Sequence, residues 1–202
     1  MSLLKRLGTD ETFWRRVGMI YLFSISIVII TTTMTYFLNL SVDVLPKAGA
    51  SIEQAEGFSK VLAYIGNNGF IVPFQMFLLA LIPIPFLYLL NILSSAIAFG
   101  IVVGFALRLA HHEAYSIIFA SLPHFLTEFL GFSLFASMLY LVNRSIRDHW
   151  IHTFKKSRDI TIPFFQTLQQ TGLVYIFLAF PVIVLAAILE TYVADWLLHL
   201  LQ

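Results

Sequence analysis

Apolar residues fall into five long runs, at 17–40, 58–82, 85–109, 115–142 and 172–198. Each has at least 24 residues, and at about 1.5 Å of rise per residue each is long enough to cross a hydrocarbon core of about 30 Å. The pattern predicts five membrane-spanning helices. Two places interrupt it. Within the second run, Gly66-Asn67-Asn68-Gly69 is followed by Pro73, which offers no N–H to the carbonyl of Gly69, so a broken or kinked helix is expected. Irregular backbone of this kind survives in a membrane only where protein or a cavity surrounds it. Pro83-Ile84-Pro85 then separates the second run from the third, because a continuous helix over 58–109 would reach about 78 Å. Pro181 marks a kink in the fifth helix.

The third run carries Ala96, Gly100 and Gly104 at four-residue spacing, a small-residue line that lets another helix approach closely. In the first run the threonines between Thr31 and Thr35 are read as packing residues bonded to their own helix. Of the connections, 41–57 reads as an outer loop in which Ser51 and Gln54 form a capping box and start the second helix near Ile52. Arg108, His111, His112 and Glu113 form a short polar turn, read as solvated. The longest polar stretch, 143–171, carries five basic residues together with Trp150, Phe154, Phe164 and Phe165, and is expected to be a cytoplasmic loop resting on the inner leaflet.

Composition places the whole chain in the membrane. Hydrophobic residues make up 59% and charged residues 11% of the 202, where a soluble domain carries about 25% charge. The fold class is therefore an all-α, polytopic membrane helix bundle forming a single domain over 1–202, located in the cell membrane. A net charge of +1 without a basic block gives no footing for nucleic acid. With no cysteine, disulfides, thiol catalysis and Cys-liganded metals are excluded. The first apolar run is long and begins late, with no A-x-A-like site after it, unlike a cleavable signal. The N-terminal lead and the 143–170 stretch hold nine lysines and arginines against three elsewhere, which puts the N-terminus inside and the C-terminus outside.

Chemistry concentrates in the fourth run, at Ser121 to Gly131, SLPHFLTEFLG. His124 and Glu128 lie four apart and share one helical face, together with Ala120, Ser121, Thr127 and Gly131. A carboxylate near mid-membrane costs at least about 2.5 kcal/mol, so this stripe must face protein, water or an ion. Depth counted along each helix puts Asn67, Asn68, His124 and Glu128 in one layer, with Glu190 of the fifth run above them. Three roles suit that set. One is a polar core in which a protonated Glu128 hydrogen-bonds its neighbours. A second is an ion or small-solute transport site. The third is an intramembrane metal-dependent hydrolase with His124, Glu128 and Glu190 as ligands. The last lacks an HExxH motif, a Ser–His pair or paired aspartates, so no metal, cofactor or catalytic residue is assigned.

The order of these motifs, with Asn67-Asn68, then Asn91 on the glycine-spaced helix, then SLPHFLTE and a late AAILETYV, resembles the stage II sporulation protein M family. The likeness runs from about Leu62 to Asp195. Ile92 stands where the family usually has Gly, and Ala194-Asp195 replaces a common Thr-Pro. The resemblance implies a bacterial or archaeal membrane protein without established catalysis, acting as a scaffold or accessory subunit. Its implied partners, besides the bilayer and further copies of the chain, are membrane or envelope proteins. Among these are cell-wall hydrolases in engulfment, or an ABC transporter in bacteriocin maturation, export or immunity.

Overall fold

The computed structural model describes residues 9–38, 57–109, 114–155 and 163–201. These are almost entirely helical, without a strand among them, and five helices are long and apolar enough to cross a membrane. Helix α1 is Glu11–Phe37, α2 is Gly57–Leu81, α3 is Leu87–Leu109, α4 is Ala114–Lys155 and α5 is Phe164–Leu201. The expected capping box at Ser51 and Gln54 and the turn at His111, His112 and Glu113 lie outside the described residues.

Helix α4 is the axis of the bundle. In its most apolar stretch 72% of residues are buried, against 17–28% in the other four. Phe125, Phe129, Phe132, Phe135, Met138 and Leu139 run down its length inside the core. Phe125 stacks on Phe99 of α3 with ring centroids 3.8 Å apart. Small residues let α5 close on the other side: a Cβ on Gly131 would lie 2.6 Å from Ile183 Cγ1. Being surrounded by protein is what permits this helix to carry a His–Glu stripe at membrane depth.

Helix α1 begins at Glu11, well before its expected start at Val17, because Asp10 Oδ1 accepts from the Phe13 amide at 2.8 Å and caps it. Along α1 lies α3. Gly100 and Gly104 meet it so closely that a Cβ on either would sit 2.7 Å from Thr31 Cβ or 2.5 Å from Thr35 Cβ. Ala96 is fully buried in the same line. Thr33 bonds back to Ile29 O, as the sequence suggested, but Thr32 instead reaches across to Gly100 O at 3.2 Å.

The second helix is irregular where expected. Ile65–Ile71 is a π-helical segment between α-helical Gly57–Tyr64 and Val72–Leu81. The turn into α3 falls at Pro83-Ile84-Pro85, with Phe86 in the left-handed region at φ 63°. Helix α5 does not simply kink at Pro181; it contains two π segments, Tyr175–Ala179 and Leu189–Val193.

The stretch 143–171 corrects an expectation. Helix α4 continues past Val142 to Lys155, giving 42 residues and a length of about 63 Å, and α5 already begins at Phe164. Instead of a loop lying on the leaflet, the two helices extend together beyond the apolar spans. Ser145, Ile146 and His149 of α4 line a groove with Phe164 and Phe165 of α5. Asn143, read from sequence as the start of a loop, is 1% exposed and is a structural anchor. Its amide nitrogen lies 3.1, 2.7 and 3.2 Å from the carbonyls of Ala80, Ile82 and Ile84, and its oxygen accepts from Arg147 Nε at 3.0 Å. It thereby satisfies the carbonyls that the end of α2 and the proline turn leave without helical donors.

Candidate functional site

Three helices bring ionisable side chains together in the interior. From α4 come His124 and Glu128, one turn apart, with His124 Nε2 3.0 Å from Glu128 Oε2. From α5 comes Glu190, whose Oε2 lies 3.9 Å from the same nitrogen. From α2 comes Tyr64, whose hydroxyl donates to Glu190 Oε1 at 3.3 Å and whose ring lies 5.7 Å from the imidazole. The side chains of His124, Glu128 and Glu190 are only 14%, 11% and 21% exposed. His124 lies about 15 Å along α4 from its start, well inside the apolar span.

The α5 backbone is shaped for this contact. Glu190 sits in the π segment Leu189–Val193, where the wider turn changes the angular position of residues from the α-helical one, as such segments often do at functional sites. One turn earlier the Ala186 carbonyl lies 3.0 Å from His124 Nδ1. A carbonyl only accepts, so Nδ1 carries its hydrogen and Nε2 is left to pair with Glu128. That pair shares one proton: either Glu128 is neutral and donates, or the imidazole is doubly protonated and the carboxylate accepts. Glu190 Oε2 is buried without a hydrogen-bond partner among the described residues.

Asn67 and Asn68 bond to each other, Asn67 Nδ2 donating to Asn68 Oδ1 at 2.6 Å, and make no hydrogen bond to this cluster among the described residues. Counting residues fixes depth but not rotation about the helix axis, and Tyr64, on the preceding turn, is the α2 residue that reaches the site. The Tyr175 hydroxyl of α5 donates to Gly69 O, so the break in α2 is satisfied by a different contact. Asn91 also works structurally, with Nδ2 3.2 Å from Val72 O and from Gln75 Oε1. Tyr64 and Tyr175 carried little signal in the sequence beyond being phenols in apolar runs.

The chemistry open to the site is narrow. The nearby hydroxyls of Thr127 and Thr191 donate to Pro123 O and Ala187 O at 2.7 and 3.0 Å, so neither donates to the imidazole as a Ser–His-type nucleophile would. Among the described residues no group of three or more His, Cys, Asp or Glu side chains is disposed to hold a metal ion. Five surface grooves of about 230 to 500 Å³ are lined by other residues. What the arrangement provides is a shared proton and a set of hydrogen bonds that tie α2, α4 and α5 together.

Fold and site define a class: a multi-pass, all-helical membrane protein with a buried His–Glu–Glu–Tyr cluster at its centre. Comparison with protein-family models, with curated proteins and with solved structures found no match to the chain.

Proposed function

We propose that the protein is a non-enzymatic scaffold or accessory subunit of a membrane complex. Its buried cluster serves to hold the helices in register, and does not act on a substrate. The observation that supports this most is the engagement of both ring nitrogens of His124, one with the Ala186 carbonyl and one with Glu128. An imidazole held on both sides positions helices well and leaves no nitrogen for a substrate. The resemblance to the stage II sporulation protein M family points the same way. It suggests a role in envelope remodelling beside cell-wall hydrolases, or in bacteriocin maturation, export or immunity beside an ABC transporter. In this reading the protein lies in the cell membrane with its N-terminus inside. Affinity capture from native membranes tests the role. Recovery of envelope hydrolases or of an ATP-binding transporter subunit is the expected result. A protein recovered alone that turns over a substrate when purified would contradict it.

One observation favours a second reading, transport of a proton or small cation. The orphaned Oε2 of Glu190 is an acceptor facing an imidazole 3.9 Å away, and Lys60 and Asp195 form an ion pair at 3.8 Å on the same two helices, α2 and α5. A pH gradient across proteoliposomes that dissipates faster with wild type than with Glu190→Gln would support transport and weaken the scaffold reading.

A further inference from the structure

A groove of about 500 Å³ lies at the N-terminal end of the bundle, between the first turns of α1, the start of α3 and the end of the apolar part of α4. Its floor and its mouth differ in chemistry. Met19, Phe23 and Phe86 line it and are about half exposed, at 55%, 47% and 57%, so it opens sideways onto the apolar surface that meets lipid. At the polar end stand Arg16 and Arg144, where the apolar run of α4 has just ended at Val142.

These two cations have acidic neighbours but no close ion pair among the described residues. Arg16 donates through Nε to Ser137 Oγ at 3.3 Å and lies over the Tyr140 ring at 5.5 Å, but makes no ion pair among the described residues. Asp10 caps the Phe13 amide. Arg144, itself exposed, pairs with the partly buried Asp148, 3.8 Å from Nε, a long contact of little strength where water reaches it. The Arg16 guanidinium lies in the field of Asp10, which closes no ion pair with it among the described residues, and more weakly in that of Arg144. Beside them Tyr88, 1% exposed, lines the groove with a hydroxyl that has no hydrogen-bond partner among the described residues. A groove that is apolar toward the lipid, with two weakly paired arginines and an unused donor at headgroup depth, has the polarity of a phospholipid.

We propose that this groove binds one anionic phospholipid, its phosphate between Arg16 and Arg144 and an acyl chain along Met19, Phe23 and Leu89. The site is independent of the His124 cluster and of the role assigned to it. Arginine suits the task because its fork of N–H donors matches two phosphate oxygens at once.

Native mass spectrometry of the full-length protein in non-ionic detergent tests this, with dilauroyl phosphatidylglycerol, the matching phosphatidylcholine and inorganic phosphate as probes. One phosphatidylglycerol should be retained in preference to phosphatidylcholine. Arg16→Gln and Arg144→Gln should each weaken its retention about fivefold. Arg15→Gln removes an equal charge from an exposed neighbour outside the groove and should leave retention unchanged. Since Arg16 also bonds Ser137, Arg144→Gln is the variant that keeps the fold undisturbed. Equal retention of the two lipids would overturn the proposal, as would an Arg15→Gln loss matching that of Arg144→Gln. Displacement of the lipid by millimolar inorganic phosphate would show a free-anion site and overturn it too.

Discussion

The Tyr175 hydroxyl of α5 donates to the carbonyl of Gly69 in α2, the same carbonyl that Pro73, four residues on, cannot serve. A break in one helix is thus completed by a side chain from another. The ring of Tyr175 is held separately, 4.8 Å from Phe135 and 6.0 Å from Phe180, so Tyr175→Phe removes the hydrogen bond and little else. It should lower stability in detergent by about 1–3 kcal/mol, the cost of an unsatisfied buried acceptor. In a Pro73→Ala background, where an N–H is restored, the loss should be clearly smaller. A thermal-unfolding double-mutant cycle measures the difference.

Asn143 provides a second test of borrowed donors. Asn143→Ala should destabilise by about 1–3 kcal/mol, since two N–H groups disappear from beside three carbonyls. Asn143→Asp should do no better, because a carboxylate cannot donate. Comparable melting temperatures for wild type and the Asp variant would contradict this account of the α2–α3 turn.

Close packing of α1 on α3 predicts position-dependent glycine effects. Gly104→Ala would put a methyl 2.5 Å from Thr35 Cβ and 2.9 Å from the Thr32 carbonyl, and backbone cannot yield as a flexible side chain can. A loss of about 1–3 kcal/mol is expected. Gly66→Ala meets nothing within 4 Å and should change stability by no more than about 0.5 kcal/mol.

These residues show what the sequence made legible. Hydropathy located all five helices and the two proline-marked interruptions, because burying apolar side chains in lipid leaves a signal of fixed length. It misplaced the end of α4, since hydropathy tracks membrane depth and not helicity: Asn143 to Lys155 leaves the apolar span while remaining helical. The His124–Glu128 pair was legible from its spacing, and Glu190 from its depth. Tyr64 in place of Asn67 and Asn68 was not, because rotation about α2 depends on a π segment that no local residue preference specifies. Asn143 was hidden for a related reason, its carbonyl partners lying about sixty residues away in the chain.

The measurement that bears most directly on the central claim is the thermal stability in detergent of Glu128→Gln and Glu128→Ala. With His124 Nδ1–H held by the Ala186 carbonyl, a Gln amide can donate to Nε2 as a protonated Glu128 does. Glu128→Gln should therefore melt close to wild type and still capture the same membrane partners. Glu128→Ala leaves the imidazole Nε2 unpaired at membrane depth and should lose about 1–3 kcal/mol. If Gln and Ala unfold the protein equally, Glu128 is an anion held by charge and the neutral helix clamp is wrong. A Gln variant that folds as wild type yet loses all biological activity would likewise contradict the scaffold, because only a proton carrier or an anionic ligand would have been removed.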